Sequence, residues 1–187
     1  MSVIVFIVPV YLLLSVARSH NVEYLNGIFE MKYNLPIFIS QPYIYIANNY
    51  DNLDTLIKEL PKHSFGLKGL FPLWALTGIK FIYPKIVDFP IFVNKTELTT
   101  VTLFYDAFYD FGIAGVAVFS TGLGCIGYFF EKMIRSTRHA TFYIIYAQVF
   151  IYLALSFFTT WFSNPATWFY FIVTVVIFLI CEKRVGK

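Results

Sequence analysis

From Phe111 to Phe130 the chain runs for twenty residues without one Asp, Glu, Lys, Arg or His. A charge-free run of about 20 residues matches the ~30 Å hydrocarbon core of a bilayer, where only a helix satisfies its own backbone. Two similar runs follow. Thr141 to Phe162 has Gln148 as its strong polar intruder, and Ala166 to Cys181, slightly short, can extend through Thr160 to Asn164 at its start. A fourth run, Ser2 to Ala17, ends at Arg18. A signal peptide is the competing reading there, with Ser15-Val16-Ala17 as a small-residue site, but no basic segment precedes the run and a span is favoured. Composition points the same way. The chain is 58% hydrophobic and 13% charged, against about 25% charged in average soluble domains. That leaves too little polar surface for a compact soluble enzyme, and it excludes a disordered chain or a basic nucleic-acid-binding domain. The expected fold class is all-α, a multi-pass transmembrane helical protein with about four spans.

Charge placement orients the spans. Six of the 14 Lys and Arg residues fall in two short segments, Lys132, Arg135 and Arg138 between the second and third spans and Lys183, Arg184 and Lys187 in the tail. Both are expected on the cytoplasmic side, and the uncharged turn Ser163-Asn164-Pro165 outside. The expected organisation is a span at 1–17, an outer-face region at 18–110, three spans within 111–181 and a cytoplasmic tail at 182–187. The outer region carries eight Lys and Arg against nine Asp and Glu. Within it, Tyr33 to Ala47 is broken by Pro36 and Pro42, and Leu67 to Tyr83 holds Lys68, Pro72 and Lys80. Both read as helices lying in the interface or re-entering from one side; were Leu67 to Tyr83 to span instead, the amino terminus would lie outside.

Several motifs have bland readings. Gly122-Leu123-Gly124-Cys125-Ile126-Gly127 fits a dinucleotide-binding string, but inside a span it predicts close helix packing by small residues, together with Gly112, Gly115 and the Ser120/Gly124 pair. Asp110-Phe111-Gly112 lacks every companion motif of a kinase. Asn94-Lys95-Thr96 is a formal glycosylation sequon. Cys125 and Cys181 read as buried apolar thiols, and the dispersed His20, His63 and His139 make no metal set. No cofactor and no nucleic-acid partner are expected. Asp106 and Asp110, four residues apart at the entry of the second span, suit either a helix start or a pair of carboxylates for acid–base work. Arg18 could hold a diphosphate through paired hydrogen bonds or snorkel as an interfacial anchor. His63 lies in the polar turn Pro61 to Gly66, for which a solvated loop competes.

One ordered series of segments goes further: Tyr43 to Leu53, then His63-Ser64-Phe65-Gly66-Leu67-Lys68-Gly69-Leu70, then Val93 to Thr102, then Phe108-Tyr109-Asp110-Phe111-Gly112-Ile113-Ala114-Gly115 opening a span. The order resembles the carboxyl-terminal half of bacterial oligosaccharide repeat-unit polymerases, which build O-antigen and capsular polysaccharide. Thr102, eight residues before Asp110, is part of that likeness. The resemblance implies an integral glycosyltransferase of the bacterial inner membrane that joins polyprenyl-diphosphate-linked oligosaccharides at the outer face without a metal. Membrane lipid, a chain-length regulator and a flippase would be its partners. Family members are longer, so the chain is expected to be a carboxyl-terminal portion. In this reading Asp110 is the base with Asp106 in reserve, Arg18 meets the diphosphate with Lys80 or Lys95 as supplements, and Thr102 and His63 line the substrate site. A glycan ligase or other lipid-linked-sugar transferase, or a non-catalytic subunit of an export assembly, are the alternatives.

Overall fold

A computed structural model of the chain describes residues 27–33, 35–136, 140–157 and 159–185. The expected span at 1–17, together with Arg18 and His20, lies outside the described residues. Those described form helices and no strands. Helix α1 is Ile37–Glu59, α2 Phe71–Leu76, α3 Ile79–Ile82, α4 Phe104–Ser136, α5 Ala140–Ala154 and α6 Pro165–Val185. α4 packs on α1 and α5, and α6 packs on α5 and α2.

α1 corrects the expectation of a break at Pro36 and Pro42. Pro36 stands just outside the helix, where its carbonyl accepts the Ile39 and Ser40 N–H groups at 2.9 and 3.0 Å. Pro42 forfeits one intrahelical donor but does not end the helix, which continues to Glu59. It stops where Leu60, preceding Pro61, is pushed to extended backbone at φ −66°, ψ 111°.

The buried row of α1 is Ser40, Ile44, Asn48, Asn52 and Leu56 at four-residue spacing, flanked by Gln41 and Asn49. That row faces chain without regular structure, whose backbone groups need partners when buried. Asn48 Nδ2 donates to the Leu98 carbonyl at 2.9 Å, and Asn52 Nδ2 donates to those of Leu98 and Thr100 at 3.1 and 2.8 Å. Asn52 Oδ1 accepts the Asn94 N–H at 2.8 Å. Side-chain amides thus replace the missing sheet ladder. Leu56, Tyr105 and Tyr109 form the adjoining core, with Phe89, Phe92 and Val101 packed on it. The Tyr105 hydroxyl donates to the Phe92 carbonyl at 2.8 Å and accepts its N–H at 2.9 Å.

α4 contains the expected run 111–130 and is the one helix among the described residues long and apolar enough to cross a membrane; α5 and the 165–180 part of α6 are shorter apolar helices. Its outward residues are apolar, with Ile113 81% and Val118 74% exposed. The run expected at 141–162 is cut short at Ala154. The carbonyls just beyond are taken by distant donors, Ser156 by the Leu103 N–H at 2.9 Å and Phe157 by Asn49 Nδ2 at 3.2 Å, which halts the helical ladder. Nor does α6 extend back through 160–164. Residues 161–163 form a 3-10 turn, Asn164 Oδ1 accepts the Ala166 N–H at 2.9 Å and Pro165 opens the helix. Of the glycines expected to pack closely, Gly112 and Gly115 are crowded, a Cβ there meeting the His63 ring at 3.2 Å and the Ala107 carbonyl respectively, whereas a Cβ at Gly122, Gly124 or Gly127 would meet nothing within 4 Å.

Candidate functional site

α4 is not continuous. Phe111 at φ −137°, ψ 15° and Gly112 at φ 62°, ψ −147° interrupt it, separating a short segment 104–110, packed among protein, from the apolar length 113–136. Gly112 has a conformation that is essentially glycine's alone. The interruption exposes backbone, which the loop 63–69 satisfies. The Ser64 and Phe65 N–H groups donate to the Tyr109 and Asp110 carbonyls at 3.2 and 3.1 Å, and His63 Nδ1 lies 3.2 Å from the Tyr109 carbonyl.

The Asp110 side chain binds the same loop from the other direction. Its Oδ1 accepts the Ser64 hydroxyl and the Lys68 N–H, the latter at 3.1 Å, and its Oδ2 accepts the Gly69 N–H at 2.7 Å. The approach at Gly69 is so close that a Cβ there would lie 2.7 Å from that oxygen. Asp110 is thus a buried carboxylate with three of its roughly four lone-pair positions filled by loop donors.

Asp106, one turn earlier, is held by charge. Lys68 Nζ lies 3.7 Å from Asp106 Oδ1, with both side chains largely buried. The same ammonium sits 4.7 Å from the centre of the Tyr109 ring, 5.5 Å from Phe89 and 5.7 Å from Tyr105. Three ring faces partly replace its hydration. Burial pushes the Asp106 carboxyl above the usual range; the Lys68 ammonium and hydrogen bonds from Ser163 and Thr160 pull it back, and the net direction is upward. Burial also lifts the Tyr105 hydroxyl to about 12. Lys68 therefore touches both carboxylates, one through its backbone and one through its side chain.

Both aspartates line a cleft of about 540 Å³ whose other walls are mainly apolar, among them Ala114, Val118, Phe119, Phe162 and Trp168, with Ser163 beside them. Among the described residues, no His, Cys, Asp and Glu group could hold a metal ion.

The other expected site residues divide. His63 is brought to the break of α4, its ring 6.0 Å from that of Phe108 and 3.2 Å from where a Gly112 Cβ would stand. Thr102 precedes α4, 2% exposed, with a hydroxyl that has no partner among the described residues. Lys80 is elsewhere, with Nζ 4.9 Å from the Phe81 ring centre and 5.9 Å from that of Phe71. Lys95 pairs with Glu30 at 3.3 Å. Neither lines the cleft, and Arg18 lies outside the described residues.

Sequence reasoning missed Lys68 as a site residue. Its signal was present, an ionisable group inside an apolar stretch, which is costly unless partnered and so marks a candidate site. Ser64 and Gly69 gave no such signal. No family model, no curated protein and no solved structure matches the chain, so the site rests on its geometry.

Proposed function

We propose that the chain is part of a multi-span membrane glycosyltransferase, a polysaccharide polymerase that joins polyprenyl-diphosphate-linked oligosaccharide repeat units at the outer face of a bacterial inner membrane. The observation that carries the reading is the buried Asp106–Lys68 pair at the polar end of an apolar cleft. A carboxyl raised by burial is a stronger base than an exposed one, and a proton acceptor of that kind is what an attacking sugar hydroxyl requires. Asp106 therefore takes the role of base. Asp110, with its lone pairs committed to Ser64, Lys68 and Gly69, is a positioning residue that fixes the loop carrying Lys68.

In the transfer step the acceptor hydroxyl oxygen forms a bond to the anomeric carbon of the donor while that carbon's bond to the diphosphate oxygen breaks. The hydroxyl proton passes to Asp106, and the bonding pair leaves with the polyprenyl diphosphate. Lys68 steadies the ionised carboxylate before the transfer. The cation that would meet the leaving group is assigned to Arg18; Lys80, held over the Phe71 and Phe81 rings, and Lys95, paired with Glu30, stand away from the cleft and do not support it.

The test is a gel of lipid-linked products from membranes of a polymerase-deficient strain supplied with the full-length gene. Asp106→Asn is expected to abolish the ladder of repeat units and Asp106→Glu to restore part of it. A ladder unchanged by Asp106→Asn refutes the assignment. A single added unit in place of a ladder favours a ligase.

A further inference from the structure

Charge is nearly balanced over residues 18–110, yet acids and bases are not mixed along it. From Leu60 to Val87 the chain carries Lys62, Lys68, Lys80 and Lys85 and not one Asp or Glu. Lys68 is paired with Asp106. Lys80 and Lys85 form no ion pair among the described residues, and neither does the next acid, Asp88.

Both lysines belong to a projecting knob. Gly78, left-handed at φ 77°, turns the chain from α2 into α3 and then the 3-10 turn Pro84–Ile86, and these short elements pack on one another. Phe81, Ile82 and Tyr83 stand there in succession, 78%, 69% and 62% exposed. A helix packed on protein turns one face inward, whereas all three of these side chains point out. The Lys80 ammonium lies 4.9 Å from the Phe81 ring centre, so charge and apolar surface share one level. The backbone is closed locally: the Phe81 N–H donates to the Gly78 carbonyl at 3.0 Å, Tyr83 to Ile79 at 2.9 Å and Ile86 to Tyr83 at 3.1 Å. Pro84 has no N–H to satisfy. Those donors need no water, which is the condition for entering a dry interface.

We propose that this knob binds anionic phospholipid head groups, with Phe81, Ile82 and Tyr83 at the boundary of head groups and acyl chains and the Lys80 and Lys85 ammonium groups on lipid phosphates. Interfacial placement of Leu67 to Tyr83 is expected from its sequence; the lipid class and the residues that select it come from the knob. Exposed rings beside lysines suit a membrane surface, and a segment without carboxylates is drawn to a negative one. A zwitterionic lipid carries its own cation beside the phosphate and leaves less for the lysines to neutralise. A second copy of the chain meeting this one about a twofold axis would set the same lysines against each other. The proposal concerns the knob and does not depend on the transfer reaction.

The test uses the full chain in phosphatidylcholine nanodiscs containing a trace of photoactivatable lipid, either phosphatidylglycerol or phosphatidylcholine, with the diazirine near the glycerol. Labelled peptides are then mapped. Phosphatidylglycerol is expected to label 77–87 roughly thirtyfold more than phosphatidylcholine, the preference that two lysines near an anionic surface supply. The preference should shrink in 0.5 M salt. Lys80→Gln/Lys85→Gln is expected to bring it close to unity while labelling of 131–136 stays as in wild type, which shows that the chain is still seated. Equal labelling of 77–87 by the two lipids in wild type overturns the proposal, as does a preference that survives the double substitution. No labelling of 77–87 by either lipid gives the knob to a protein or a second copy and overturns it too.

Discussion

Gly112→Ala is the sharpest probe of how the site is built. The residue sits at φ 62°, ψ −147°, where a side chain costs about 1–3 kcal/mol in backbone strain. The added Cβ would also stand 3.2 Å from Cε1 and Nε2 of His63. Moving that ring breaks its contact with the Tyr109 carbonyl, about 1 kcal/mol more. The expected loss is therefore about 3 kcal/mol, or roughly 6–12 °C in melting temperature at ~2–4 °C per kcal/mol. Gly124→Ala is the internal control. It lies in the same helix, its Cβ meets nothing within 4 Å, and alanine there should gain up to about 1 kcal/mol in helix propensity. Thermal melting of both variants in one detergent, followed by circular dichroism, measures the contrast. If the two melt within about 2 °C of each other, α4 is not interrupted at Gly112 and the loop 63–69 is not seated as described.

Lys68→Met strands the buried Asp106 carboxylate, and at neutral pH should cost about 3–5 kcal/mol, a deficit that shrinks in Asp106→Asn/Lys68→Met. Because the folded Asp106 carboxyl is raised above its unfolded value, its contribution is present in full below the unfolded value and is lost as pH rises through the folded one. Wild type should thus gain stability relative to Asp106→Asn on mild acidification; melting curves of the two across pH would show a constant gap if the group were not buried. Asp110→Asn sets an amide NH2 against a backbone N–H of the loop and should cost about 2–4 kcal/mol; limited proteolysis at 63–69 should accelerate, and unchanged cleavage would contradict the cradle. Asn52→Ala removes two donors and one acceptor from the 94–100 segment and should cost about 2–3 kcal/mol, read by chemical denaturation, with no change expected for the exposed Asn94→Ala.

What the sequence disclosed and what it hid have separate physical causes. An apolar run is a local property, so the long helix around 111–130 and the all-helical class were legible, as were Asp106 and Asp110 as a pair worth attention. The end of α5 was not, because it is set by Asn49 and the Leu103 N–H, which reach the 156–157 carbonyls from far along the chain. Pro42 misled for the converse reason: the rule against internal proline weighs one lost bond, whereas the row 40–56 is held by its burial and by amide contacts to the 94–100 segment. Asn48, Asn49 and Asn52 resemble a loop signal until the irregular chain they serve is in view. Lys68 was counted only against a span, yet its charge is what permits Asp106 to be buried at all. These long-range polar contacts gather around the 104–110 end of α4, where the apolar cleft begins, and each removes a cost that would otherwise expel a carboxylate from that place. The fold therefore spends its polar side chains on holding two acids beside an apolar cleft, an arrangement that a helix needing only lateral packing would have no cause to maintain.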